Sequence, residues 1–202
     1  MLTPPLLWPS VATPTTEVAA IKDLHANLWG VAYNVEAWAA AFRLYAFAKQ
    51  APSTVTNDDA RRWKFIASKE CVLQLHHLRE RLEKIRGFKI RACPSLTGCI
   101  EFARLREATK LLDEYFPGID DLRDAIAHAG ANDVLPDRHA TEGGYLLVSF
   151  QEMDRYSAPH KGVAHHLDIT DSSLKRINKI VAEFFLAFTT AARMLEQQGH
   201  VD

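Results

Sequence analysis

Apolar residues recur at steps of three and four from Ile21 through Leu24, Leu28, Val31, Val35, Trp38 and Phe42 to Tyr45, the spacing that lays one face of an α-helix against a core. A helix over residues 16–50, capped by Thr15 or Thr16 and stopped before Pro52, would run roughly 50 Å at ~1.5 Å per residue. A helix of that length needs long partners. Asn57, Asp58 and Asp59 offer caps for a second one, whose apolar positions Phe65, Val72, Leu75, Leu78, Leu82 and Ile85 lead up to Gly87, and antiparallel packing on the first helix is expected. A linker holding Cys93, Pro94, Gly98 and Cys99 precedes a third helix near residues 100–115, and Pro117-Gly118 separates that from a short helix opening at Ile119. The last helix starts by Asp171 and carries Leu174, Ile177, Val181, Phe184, Phe188 and Leu195, an aromatic stripe that reads as core.

Two β-prone runs, residues 145–150 and 162–169, lie between the short helix and the last one and read as a hairpin over about 144–169. Their connection, residues 151–161, is polar and reads as a long exposed tip. A two-stranded ribbon is marginal by itself, so it is expected to lie on the helices or on a second subunit. The expected fold is therefore all-α, an up-and-down bundle of about five helices with a small β-hairpin inserted before the last helix. An extended arm over residues 1–14 precedes a single domain over 15–198.

Composition fits that picture. Hydrophobic content of 48%, charged content of 24% and a formal net charge of -1 argue for a globular chain rather than a disordered one. No apolar run approaches the ~18 residues a membrane span needs, so no membrane partner is expected. The start lacks a basic leader and is broken by Pro4, Pro5 and Pro9, which reads as an arm and not as a secretory signal. Cys71, Cys93 and Cys99 form an odd set without zinc spacing, suited to a reducing cytoplasm better than to a disulfide scaffold.

The residues most suggestive of chemistry are Arg123 and His128. Arginine is a permanent cation able to grip a phosphate, and histidine exchanges protons near neutral pH. Ile119, Leu122, Ile126 and Ala129 aim their helix at a core, while Arg123 and His128 miss that stripe and bracket an outer face made of Asp124 and Ala127, small enough for another helix or a nucleic-acid backbone to approach closely. A structural explanation stands beside this one: Arg123 could pair with Asp120, and His128 could sit at the helix C-terminus before Gly130, where a cation is favoured. The same spacing recurs at Arg155 and His160, in a polar segment holding Pro159.

An arginine, a polar residue and a histidine late in a helical chain resemble the HEPN superfamily, whose hallmark is Arg-x4-6-His; here the match is Arg123, Asp124 and His128, with Asp124 standing where the family often has Asn. The resemblance also covers the layout of two long helices before the motif and one after it. It implies, as in many members, a metal-independent ribonuclease, toxin or defence related, whose composite site is built by two copies of the motif across a homodimer. In that reading Arg123, His128 and Asp124 are catalytic and no cofactor is needed. Other members are non-catalytic modules, which implies the alternative of binding a partner protein such as an antitoxin, or a nucleic acid.

Residues 61–91 contain ten Arg and Lys against three Glu, and Arg79, Arg81, Lys84 and Arg86 are candidate contacts for an RNA backbone. Residues 101–124 carry seven acids against four bases, so salt bridging to a neighbouring helix could cancel part of that excess. No metal site is expected. His165 and His166 are strand neighbours that point to opposite faces, which leaves His160, His165, His166 and Asp168 without a shared focus, and His76 and His77 diverge by about 100° on a helix. Phosphate loops, nucleophile elbows and a cysteine triad setting are missing from the sequence.

Overall fold

The computed structural model describes residues 2–52, 54–127, 150–152 and 154–199. The chain is mainly helical. In order it forms α1 (Val18–Lys49), α2 (Asn57–Lys84), a π-helical turn (Ile85–Lys89) and a 3-10 turn (Ile90–Ala92), then α3 (Pro94–Thr97), α4 (Phe102–Tyr115) and α5 (Ile119–Ala127). Three strands follow, β1 (Phe150–Glu152), β2 (Arg155–His160) and β3 (Val163–Asp168), before α6 (Asp171–Leu186) and α7 (Thr189–Gln197). The contacts group into two units. One comprises Met1–Glu36, His77–Tyr115 and Lys175–Asp202, the other Ala37–His76 and Phe116–Leu174, so α1, α2 and α6 each contribute to both.

In the first unit Ile21, Leu24, Leu28, Val31 and Val35 of α1 are all buried, as their spacing requires. The Arg81 side chain reaches Asn34 and Lys89 reaches Asp23, so rising numbers on one helix meet falling numbers on the other and the pairing is antiparallel. The expected arm is extended but docked: Leu7 is fully buried, Ser10 Oγ donates to Gln198 Oε1 at 2.7 Å, and the Val11 N–H donates to the Gly199 carbonyl at 3.0 Å. The single last helix expected from periodicity is two. The Ala187 carbonyl accepts the Glu101 N–H at 3.0 Å and the Phe188 N–H tightens onto the Phe185 carbonyl, a break that keeps Phe184 and Phe188 fully buried with ring centroids 5.6 Å apart. Each such ring contributes roughly 1.5–3 kcal/mol by leaving water.

In the second unit α1 and α2 are again antiparallel, since Cys71 Sγ lies 3.9 Å from the Trp38 carbonyl and Phe47 stacks on Trp63 at 6.1 Å. The sheet corrects the expected hairpin. It has three antiparallel strands in the order β1-β2-β3, and the segment read as an exposed tip supplies β2. The connection between β2 and β3 is only Lys161-Gly162, at φ 51° and 80°, the positive pair that a type I′ hairpin turn demands. Register pairs Tyr156 with Leu167 and Ala158 with His165, so the inward face carries buried Tyr156, Ala158 and Leu167, while Arg155 and Asp168 close an ion pair at 2.6 Å on the outward face. Residues 145–149, expected in the first strand, lie outside the described residues.

Candidate active site

Ile119, Leu122 and Ala125 of α5 are buried, Ile126 is half-buried and Ala127 is exposed, so the helix turns one side to the core of its unit and leaves the side of Asp124 and Ala127 open. On that open side Arg123 Nη1 donates to Asp124 Oδ1 at 2.9 Å, with both side chains roughly two-fifths exposed. A carboxylate clamped to one edge of a guanidinium fixes its plane, and the fork has further N–H donors for an incoming anion. The alternative pairing of Arg123 with Asp120 does not occur: Asp120 Oδ1 meets His76 Nδ1 at 3.0 Å. His128, with Ala129 and Gly130, lies outside the described residues.

The side of α5 that meets the sheet holds a second polar group that periodicity did not bring together. α5 packs on β2 and β3, and Asp121 stands between His160 Nε2 at 4.0 Å and His165 Nδ1 at 3.7 Å. Both histidines project from one sheet face, because His160 pairs with Val163 and His165 sits two residues further along β3. Gly118, at φ 75°, makes room for His165, since a Cβ there would lie 2.8 Å from His165 Nδ1. His166 points the other way and its Nδ1 hydrogen-bonds Ser157 Oγ at 2.8 Å. The divergence of His165 and His166 followed from strand geometry; the convergence of His160 and His165 needed the turn at Lys161-Gly162. Among the described residues no group of three or more His, Cys, Asp or Glu is arranged to hold a metal ion.

Of the four basic candidates, Arg79 is bound by Glu83 at 3.3 Å and by Asp113 at 2.9 Å. Asp113 belongs to the acidic run that the sequence offered as a partial offset to this basic segment. Arg81 lies across α1, where Gly30 leaves space for its guanidinium, and donates to Asn34 Oδ1 at 3.2 Å. Arg86 donates to Thr109 Oγ1 at 3.1 Å, and Lys84 is exposed. The Arg155 and His160 repeat of the motif spacing is divided between two strand faces, with Arg155 on Asp168 and His160 beside Asp121. No helix among the described residues is long and apolar enough to cross a membrane.

No protein-family model matches this chain, and no curated protein or solved structure matches it.

Proposed function

We propose that this chain is a HEPN-like, up-and-down helical domain that cleaves RNA without a metal ion and works as a homodimer in a reducing cytoplasm. The observation that carries the reading is the Arg123–Asp124 pair at 2.9 Å on the open side of a helix whose other side is core. In this mechanism the 2′-hydroxyl attacks the adjacent phosphorus and the 5′-oxygen leaves. His128 takes the hydroxyl proton and its counterpart on the second subunit returns one to the leaving oxygen, while Arg123, held by Asp124, stabilises the charge that builds on the phosphoryl oxygens. Lys84, exposed among the four basic candidates, contributes to backbone attraction.

A second reading is a non-catalytic helical module that binds a partner protein such as an antitoxin. The engagement of Arg79 and Arg81 by Asp113, Glu83 and Asn34 favours it, because paired cations release few counterions from RNA. RNA cleavage by pure protein in EDTA separates the two. The nuclease reading expects Arg123→Ala and His128→Ala each to lose at least ~100-fold in rate with folding and oligomer size unchanged. Wild type that cleaves none of a varied RNA set, or a His128→Ala protein with full function, transfers the conclusion to the binding module.

A further inference from the structure

α1 carries apolar residues on two sides. The first is the buried stripe described above. On the opposite side Trp29, Tyr33, Ala37, Ala40, Leu44 and Phe47 recur at steps of four, four, three, four and three, a second continuous stripe along the same helix. This one faces outward, with Tyr33 68% exposed, Phe47 52%, Trp29 48% and Leu44 39%. Its large members are held in place: Trp29 Nε1 donates to His25 Nε2 at 3.0 Å and Phe47 stacks on Trp63. Rigid aromatics cost little to immobilise and dominate interface energies.

We infer that this stripe is the face through which two copies of the chain associate, α1 against α1 and antiparallel. Charge supports a second copy. Glu36 and Arg43 lie seven residues apart and therefore on the same flank of the stripe, and neither has an ion-pair partner among the described residues. A two-fold rotation that pairs antiparallel helices brings the same flank of each together, which places Glu36 beside the partner's Arg43 twice over. With the axis near Trp38, Trp29 falls opposite the partner's Phe47 and Tyr33 opposite the partner's Arg43, so large residues meet at the ends and Ala37 and Ala40 let the backbones approach in the middle. Area supports it as well. At ~150–250 Å² per aromatic side chain, the four large residues present roughly 400 Å² per copy, about 800 Å² for the pair. The alanines and the stems of the flanking charges carry the total past the ~1,000 Å² that a specific interface requires.

The inference concerns association alone and deepens the homodimer of the nuclease reading without assigning the composite site to this face; association is measured apart from cleavage, so failure of one is distinguishable from failure of the other. The experiment is sedimentation equilibrium on full-length protein: wild type, Tyr33→Glu, Glu36→Arg, Arg43→Glu, the double reversal, and an equimolar mixture of the two single reversals, each checked for native circular dichroism. The expected result is a wild-type dimer, a monomeric Tyr33→Glu, and at least a roughly tenfold weaker Kd for each single reversal. The double reversal and the mixture recover dimer, since both restore opposite charges across the two-fold. A wild type that stays monomeric up to its solubility limit overturns the inference, as does a dimer indifferent to Tyr33→Glu or a mixture no tighter than its components. If Tyr33→Glu does not fold, the mixture decides alone.

Discussion

Asp154 ties the sheet to α1 within the second unit through three features that substitution can separate. It sits between β1 and β2 at φ 66°, a left-handed conformation that Asp and Asn tolerate and alanine does not. Its carboxylate accepts from Lys49 Nζ at 2.8 Å and from Tyr45 Oη at 3.0 Å, and its carbonyl accepts the Ile169 N–H at 2.7 Å. The exposed lysine pair contributes about 0.5 kcal/mol. The tyrosine hydrogen bond contributes about 1 kcal/mol, and a Cβ in the left-handed region without a compensating side chain costs about 1 kcal/mol more. Asp154→Ala is therefore expected to lose about 2–3 kcal/mol, Asp154→Gly about 1–2, and Asp154→Asn about 0.5. Urea unfolding at pH 7, followed by far-UV circular dichroism, reads these directly if the denaturant slope is unchanged. The Lys49 ammonium, with Tyr45, holds the Asp154 carboxyl below its ordinary value. A depressed carboxylate stabilises the fold above the unfolded pKa near 4 and loses that contribution as pH falls through the folded value, so the gap between wild type and Asp154→Asn should close in acid. A glycine variant less stable than the alanine variant would refute the backbone part of this reasoning, and three variants within about 0.5 kcal/mol of wild type would refute all of it.

Other expectations follow from neighbouring features. Gly118 and Gly162 share a positive φ, but only Gly118 faces a side chain, so Gly118→Ala should cost more than the roughly 1 kcal/mol of Gly162→Ala, with chemical denaturation as the measure and equal losses as the refutation. Burial pushes the His25 imidazole below its ordinary pKa, against a smaller opposing pull from the Pro5 carbonyl. The folded state thus favours the neutral ring that accepts the Trp29 N–H, its contribution is full above pH 6.5 and fades below, and the melting-temperature difference between wild type and His25→Gln should shrink from pH 7.5 to 5.5. A constant difference would sink that account. Burial raises the Cys93 thiol to about 11 and the Cys71 thiol further, so at pH 8 a thiol reagent should label the half-buried Cys99 first and the other two only on unfolding; rapid reaction of two thiols in the native protein would contradict it.

Helical periodicity was a reliable guide where one side of an element decides its burial. Every apolar position named for α1 is buried except Phe42, which is half-buried, and Asn57 does open α2. Periodicity was silent where a long-range contact decides. The break after Leu186 depends on the Glu101 N–H, a residue far away in sequence, and no glycine or proline marks it. β2 was missed because Pro159 and its polar neighbours look like a loop, whereas the turn at Lys161-Gly162 is set by backbone angles that a lysine seldom adopts. At the candidate site the open side of α5 was legible from residue spacing. The choice of Asp124 over Asp120 as the partner of Arg123 was not, because it depends on His76, an element away.

The docking of the arm has a consequence for how the chain is made. Val11 and Ser10 are anchored on Gly199 and Gln198, a contact spanning 188 residues, and Leu7 is sealed in the same unit. During synthesis from the N-terminus, the unit built from residues 37–76 and 116–174 has all its segments before α7 exists, while the unit that holds Leu7, Ser10 and Val11 must wait for Gln198 and Gly199. In the arm, Leu6, Leu7 and Trp8 are therefore made long before their mate, since Ser10 precedes Gln198 by 188 residues. Its three prolines among residues 4–9 serve that interval, because a stretch that cannot offer regular backbone hydrogen bonds is a poor seed for strand-like aggregation.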